Sequence, residues 1–337
     1  AAVLPSPEAI ERAAKMLRSG SRTAILLSGN ALRGRGLEAA GRVAAATNAR
    51  LLVPYPFPRL ERGAGRPIVD RIPYVPQQAI ELLKEFRQLI LVGTGEPLAY
   101  FASPKRNAEL VPTDCEIHQL SQPGEDCAGA LEAILSTGEF KKSRELVQPA
   151  KLPPLPTGEI TLDGLAAAIA ACLPENAIVV DESMTAGRGI MAAARGAAPH
   201  DWLANTGGSI GIAMPLAVGA AIACKNRRVL CLSADGSGMY TLQGLWTMAR
   251  ESLNITTIIL ANRAYGILKR EFANLGAGEP GEIASSLFSI GRPDLDWVTL
   301  AKGMGIPGTR VHSLEEFASR LQQGLKNDGP SLIEVLV

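Results

Sequence analysis

The sequence predicts an α/β protein made of two doubly wound parallel-sheet domains. Three observations predict it. Short apolar runs alternate with helix-length periodic segments along the whole chain, the pattern of βαβ units. Several runs end at small or polar residues, among them Ser28-Gly29-Asn30, Gly93-Thr94-Gly95 and Asp235-Gly236-Ser237. The alternation breaks once, where Lys141 to Arg144 is basic and Pro149, Pro153, Pro154 and Pro156 favour extended, semi-rigid backbone. We therefore expect a first domain at 1–140, a linker at 141–160 and a second domain at 161–337.

In the first domain the pattern predicts a helix at 3–20, with Pro7 near its start and Gly20 at its end. Thr23 to Leu27 reads as a strand, Leu37 to Thr47 as an alanine-rich helix and Leu51 to Pro54 as a strand. Residues 54–76, rich in Pro, Gly and Arg, read as a long loop. A helix from Ala79 to Phe86, strands at Leu89 to Val92 and Asp114 to Leu120, and a helix from Asp126 to Leu135 complete it. In the second domain, helices are expected at 162–173, 215–224, 242–249, 296–304 and 314–325. Six strands are expected at 177–180, 200–203, 229–232, 256–260, 308–311 and 331–337, and a mobile loop at 274–291. Polar loops at 181–187, 205–211 and 234–238 then open on one edge of that sheet.

With 337 residues, 47% hydrophobic and 20% charged, the chain has sizeable cores and is not disordered. A net charge of +1 gives no electrostatic reason to expect nucleic acid or a membrane surface as partner. No apolar run approaches the roughly 20 residues that a membrane helix needs. Five scattered cysteines and no signal-like start at Ala1 predict reduced thiols in a cytoplasmic protein. Cys115 and His118 stand at C-x-x-H spacing, but no second pair completes a zinc site. Gly34 to Ala39 matches the dinucleotide pattern G-x-G-x-x-A. Its context is poor, since the preceding strand ends about five residues too early and no acidic residue closes the next one. A loop leading into a helix is the expected outcome there.

The most informative stretch runs from Leu230 to Leu268. An apolar run stops at Asp235, a helix follows, and a second apolar run stops at Asn262, 27 positions on. In a parallel sheet those strand ends lie side by side, where ligands collect. A carboxylate and an amide oxygen beside a small-residue loop suit a hard cation carrying a diphosphate.

Ala234-Asp235-Gly236-Ser237, Ala261-Asn262, Asn205 to Ala217, Asp181 to Thr185 and Leu295 to Val337 together resemble the thiamine diphosphate enzymes of the acetolactate synthase and benzoylformate decarboxylase group. The resemblance implies that the first domain is the family's central Rossmann-like domain and the second its thiamine diphosphate-binding domain. It implies that Asp235, Asn262 and the carbonyl of Ala264 ligate Mg²⁺. Gly236 and Ser237 would meet the diphosphate, and Ser183, Met184 and Thr185 its other side. Gly208, Ser209, Tyr265, Gly266 and Ile267 would line the cofactor, and Ile210 would be the apolar wedge that bends it. Two residues depart from the family motif: Ala234 stands for its first Gly and Ala261 for its first Asn. The methyl of Ala234 is tolerable if its φ is negative.

The implied activity is decarboxylation or carboligation of a small-molecule 2-oxo acid, acetolactate synthase-like. A benzoylformate decarboxylase-like enzyme and a non-catalytic cofactor-binding subunit or fragment stand as alternatives. Some relatives hold FAD in the central domain, so the resemblance leaves FAD open, as does an NAD- or FAD-linked reading of Gly34 to Ala39. No catalytic residue is assigned within this sequence. The family's activating glutamate lies in a pyrimidine-binding domain, expected here on a preceding segment or another chain. A homo-oligomer is implied, with Trp246, Met248 and the small residues of Ala217 to Ala221 lining either an interface or an internal helix contact.

Overall fold

The structure, a computed structural model, describes residues 2–101, 108–137, 140 and 146–337. The first part of the expected linker, 141–145, lies outside the described residues. The chain divides into two compact units, Ala1–Pro149 and Ala150–Val337.

In the first unit, α1 (Pro7–Arg18) leads into β1 (Thr23–Leu27), α2 (Gly34–Thr47) and β2 (Arg50–Val53). Two short strands follow, β3 (Leu60–Arg62) and β4 (Asp70–Arg71), in the stretch expected to be one long loop. β4 pairs through Asp70 and Arg71 with Leu52 and Val53, so the loop returns to the sheet edge. Then come α3 (Pro76–Leu83), β5 (Gln88–Val92), β6 (Glu116–Ser121) and α4 (Cys127–Ser136). The sheet order is β4-β2-β1-β5-β6, and every pairing is parallel. Continuous apolar strands such as β1, buried at all five positions, are what a sheet covered on both faces requires.

The second unit contains α5 (Leu162–Cys172), β7 (Ile178–Glu182), α6 (Ile190–Ala193), β8 (His200–Ala204), α7 (Ala213–Ala223) and β9 (Val229–Ala234). A single helical turn, α8 (Asp235–Gly238), stands where a polar loop was expected, followed by α9 (Gly244–Arg250) and β10 (Ile255–Ala261). The remainder is α10 (Gly266–Asn274), α11 (Glu282–Leu287), α12 (Trp297–Gly303), β11 (Gly308–Val311), α13 (Leu314–Lys326) and β12 (Ser331–Leu336). Within this unit the strands run β11-β12-β10-β9-β7-β8, all parallel.

Side-chain caps start the helices where the sequence places Ser, Thr or Asp. Thr161 accepts from Gly164 N–H, Asp296 from Thr299 N–H and Ser313 from Glu316 N–H. Small residues let α7 approach the sheet, and Ala213, Ala217 and Ala221 join Leu245, Met248 and Trp297 in one buried cluster with strands β7, β9 and β10. Met248, Ala217 and Ala221 are therefore core residues and not interface residues. Trp246 faces outward instead of joining the buried side of its helix, and the Arg250 guanidinium lies 5.3 Å from its ring centre. The segment expected to be a mobile loop at 274–291 contains α11. Neither α10 nor α11 buries a residue, so neither has the periodic apolar stripe that reveals a helix in sequence.

Among the described residues no helix is long and apolar enough to cross a membrane. His118 sets its Nε2 2.8 Å from the carbonyl of Ala9, a packing contact between α1 and β6. At the G-x-G-x-x-A pattern, α2 begins at Gly34 itself. A Cβ on Gly36 would lie 2.4 Å from the backbone oxygen of Asn30, so that glycine admits a turn packed against the helix. The Gly34 N–H donates to Glu61 Oε2 at 2.9 Å, which places a carboxylate where a phosphate would have to sit.

Candidate functional site

The order β8-β7-β9-β10 sets four parallel strand ends beside one another, and each continues into one of the loops singled out above. The register pairs Ala234 with Leu260, so Asp235 stands level with Ala261, next to Asn262. This shared edge is where an open α/β sheet binds its ligand.

Asp235 is only 2% exposed. Its Oδ1 accepts from Gly236 N–H at 2.9 Å and its Oδ2 from Arg263 N–H at 2.7 Å. Burial pushes this carboxyl above its ordinary value, and the two amides pull it partly back. Arg263 holds the left-handed conformation at φ 53°, and Met184, in the loop after β7, does so at φ 50°. Non-glycine residues in that region carry strain and concentrate at binding sites. Asn262 closes an Asx-type turn, its Oδ1 accepting from Ala264 N–H at 3.1 Å. Its Nδ2 reaches Thr185 Oγ1 at 3.5 Å, tying the end of β10 to the loop after β7.

The next residues are held by a second segment. Tyr265 N–H donates to the Phe288 carbonyl and Ile290 N–H to the Arg263 carbonyl, and Ala264 bridges Ser289. Gly236 lies against this strip, since a Cβ there would stand 3.0 Å from the Tyr265 ring. A Cβ on Gly266 would meet Thr185 Oγ1 at 3.1 Å and Asn262 Nδ2 at 3.2 Å. The structure thus brings together Asp235, Gly236, Asn262, Ala264, Tyr265, Gly266 and Thr185. Ile267 sits in the first turn of α10, and Ser237 is buried in α8. Ser183 donates both its N–H and its hydroxyl to Asp181 Oδ1, closing its own turn. Gly208, Ser209 and Ile210 lead to Gly211, whose carbonyl accepts from Thr241 Oγ1 at 2.6 Å in the segment after α8. Ile210 is 39% exposed, a large apolar side chain left in the open.

Sequence reasoning missed Glu182. It is 2% exposed, and it accepts from the N–H groups of Gly211 at 2.6 Å and Ala213 at 3.0 Å. Its only signal was an acidic residue closing an apolar run. Its burial depends on the loop after β8 folding back over β7, which no local pattern shows.

The donor set suits a hard cation: one carboxylate, one amide oxygen and one backbone carbonyl. Among the described residues no cluster of three or more His, Cys, Asp or Glu forms a self-contained metal cage. A cation here would rely on amide, carbonyl and ligand oxygens, as Mg²⁺ does beside phosphates. Gly236 and Gly266 let the backbone pack closely against Tyr265, Thr185 and Asn262, and the oxygen set of Asp235, Asn262 and Ala264 fits Mg²⁺ beside a diphosphate.

Residues 185–335 match the family model described as thiamine pyrophosphate enzyme, C-terminal TPP binding domain. Residues 185–335 thus carry the thiamine pyrophosphate-binding domain of that enzyme family. A Mycobacterium tuberculosis protein named as an acetolactate synthase large subunit, IlvX, is 45% identical over 336 residues, 98% of this chain and 64% of that protein. Benzoylformate decarboxylase of Pseudomonas aeruginosa is 30% identical over 245 residues, 68% of this chain and 43% of that enzyme. The structure of the thiamine diphosphate-dependent 4-hydroxybenzoylformate decarboxylase of Rhodococcus jostii RHA1 superposes with a TM-score of 0.81 at 23% identity. It covers all of this chain and 65% of that one, and it shows the shared fold. The chain thus spans less than two thirds of the length of these relatives.

Proposed function

We propose that this chain holds thiamine diphosphate and Mg²⁺ for an enzyme that decarboxylates a 2-oxo acid, with carboligation in the manner of acetolactate synthase. The observation that carries the reading is the oxygen set of Asp235, Asn262 and Ala264 at adjoining strand ends. Asp235 and Asn262 would bind Mg²⁺ through side-chain oxygens and Ala264 through its carbonyl. Gly236 and Ser237 would meet the diphosphate, with Ser183, Met184 and Thr185 on its far side. Tyr265, Gly266 and Ile267 would close the wall beside it. Gly208 and Ser209 lead to Ile210, whose exposed side chain would support the bent cofactor from below. Bound thiamine diphosphate supplies the electron sink for loss of the carboxylate as CO₂. The protein's share is to anchor, orient and keep the reacting end dry.

On this reading 1–140 is the central domain, 141–160 the linker and 161–337 the diphosphate-binding domain. The activating carboxylate comes from a pyrimidine-binding domain elsewhere in the assembly, a homo-oligomer in this proposal. The similarity to benzoylformate decarboxylase favours a second reading, decarboxylation without ligation. Product analysis with a 2-oxo acid separates the two, as an aldehyde alone marks the second.

Calorimetric titration of the full-length protein tests the first step. Wild-type protein is expected to bind thiamine diphosphate only with Mg²⁺ present. Asp235→Ala is expected to weaken binding by more than the roughly 10–100-fold that losing an outer-shell partner of a metal costs. Unchanged affinity in Asp235→Ala would remove the metal assignment, and wild-type protein that never binds would remove the whole reading.

A further inference from the structure

We infer that Glu182 is a positioning residue that sets where Ile210 points, an inference that rests on the reading of this cleft as the thiamine diphosphate site. The loop after β8 has one free side and one fixed side. On the free side stand Gly207 and Gly208, both at φ 66°, a conformation open to glycine at little cost. On the fixed side stands Gly211, at φ 91°, packed so closely that a Cβ would lie 2.6 Å from Cβ of Tyr240. Both backbone groups of Gly211 are taken. Its N–H donates to Glu182 Oε1 at 2.6 Å, and its carbonyl accepts from Thr241 Oγ1 at 2.6 Å. Two residues on, Ala213 N–H donates to Glu182 Oε2 at 3.0 Å, and Asn205 Nδ2 reaches Oε1 at 3.4 Å from the start of the loop. One carboxylate therefore grips the loop at both ends, and Ile210 projects from between the grips.

A carboxylate this buried is costly unless its oxygens are satisfied, and here amide donors satisfy them. Glu182 also stands where α7 begins, so the loop's exit is fixed to a helix without a charged residue. Gly207 and Gly208 are spanned by one backbone hydrogen bond, Ser209 N–H to the Thr206 carbonyl at 3.3 Å, and among the described residues no side-chain carboxylate holds them. Losing the carboxylate would let the loop pivot about those glycines and carry Ile210 away from its place. Glu182 acts on the cofactor through this loop and does not itself need to touch it.

The test compares wild type, Glu182→Gln, Glu182→Asp, Ile210→Ala and the double variant Glu182→Gln/Ile210→Ala in the full-length protein. Gln sets an N–H₂ group against a backbone N–H, breaking one grip while keeping the side chain's size. Three readouts are taken: hydrogen exchange at Gly211 and Ala213, the near-UV circular dichroism of bound thiamine diphosphate, and kcat against KM. Glu182→Gln is expected to speed exchange at both amides about tenfold, the loss of one ordinary hydrogen bond. It is expected to change the dichroism as Ile210→Ala does and to lower kcat on the order of 100-fold, the cost of a small misplacement near the chemistry. KM is expected to stay put, and the double variant to fall no lower than Ile210→Ala alone, since coupled residues do not add. Wild-type dichroism and kcat in Glu182→Gln overturn the inference, as do losses that multiply in the double variant. If Glu182→Gln shows no cooperative unfolding transition, Glu182→Asp, too short to span both amides, is judged by the same outcomes. If wild type binds no cofactor, the cofactor reading fails separately, and amide exchange alone decides whether Glu182 holds the loop.

Discussion

The two units share one architecture and differ in what they bury. Both are parallel sheets whose strands run into small-residue turns. The buried polar side chains described in the first unit are Thr23, Gln88, His118 and Ser121, none of them a carboxylate. The second unit buries Glu182, Asp201, Asp235 and Glu334. Two of these four carboxylates have arginine partners, Arg227 for Asp201 and Arg310 for Glu334. The other two, Glu182 and Asp235, are held by backbone N–H groups at the carboxyl edge of the sheet. On the proposed reading the contrast separates structural charge from binding charge. An acid paired with arginine has its charge compensated inside the protein, whereas one held by amides at a strand end would keep its charge for a cation or for fixing a loop.

The largest effect expected on this contrast is at the arginine-paired side. Glu334 is fully buried, and Arg310 meets its Oε2 at 3.0 Å through Nε and 2.9 Å through Nη2, while Oε1 has no hydrogen-bond partner among the described residues. Arg310→Met is expected to destabilise the second unit by about 3–5 kcal/mol, the cost of leaving a buried charge alone. The loss should depend on pH with a definite sign. Burial already holds the Glu334 carboxyl above its ordinary 4.5, and Arg310 pulls it back. Without Arg310 the folded-state value rises further, so stability is full below pH 4.5 and falls as pH rises through the folded-state value. All three tryptophans, 202, 246 and 297, lie in this unit, so urea unfolding followed by their fluorescence reads it selectively. A variant equally destabilised at pH 4 and pH 7 would show that Glu334 is not the charge at stake.

A smaller effect tests the first unit. Gly36→Ala places a methyl against the Asn30 carbonyl and is expected to cost about 1–3 kcal/mol by overpacking. Faster hydrogen exchange in β1 and β5 measures it. The tryptophan transition and the affinity for thiamine diphosphate should not move. Loss of that affinity would tie the first unit's glycine pattern to the site and dissolve the contrast.

What the sequence made legible follows the same division. Strands buried on both faces are continuous apolar runs, so β1, β5 and β10 could be read directly, and β11 was read to the residue. Asp235 and Asn262 were legible because each ends such a run, and a parallel sheet leaves only one edge for them to share. The helices α10 and α11 were not legible, since neither buries a residue and periodicity has nothing to report. The strands β3 and β4 were hidden by their length, three and two residues. Glu182 looked like its neighbour Asp181. Only the returning loop makes one of them buried and leaves the other half-exposed.

The smallest effect concerns the departure at Ala234. The family motif carries glycine there, and the loss of it raises the question of a strained turn. Ala234 has φ −85° and ψ 156°, an extended conformation that any L-residue adopts without strain. Its methyl therefore restricts the unfolded chain without distorting the folded one. Ala234→Gly is expected to lower stability by about 0.5–1 kcal/mol through backbone entropy, and to leave the affinity for thiamine diphosphate and Mg²⁺ unchanged. Tryptophan-detected unfolding and calorimetry measure the two quantities on one sample. Tighter cofactor binding in the glycine variant would mean that the methyl crowds the Asp235 turn. The edge holding the two amide-bound carboxylates would then be less ready for its ligand than its geometry indicates.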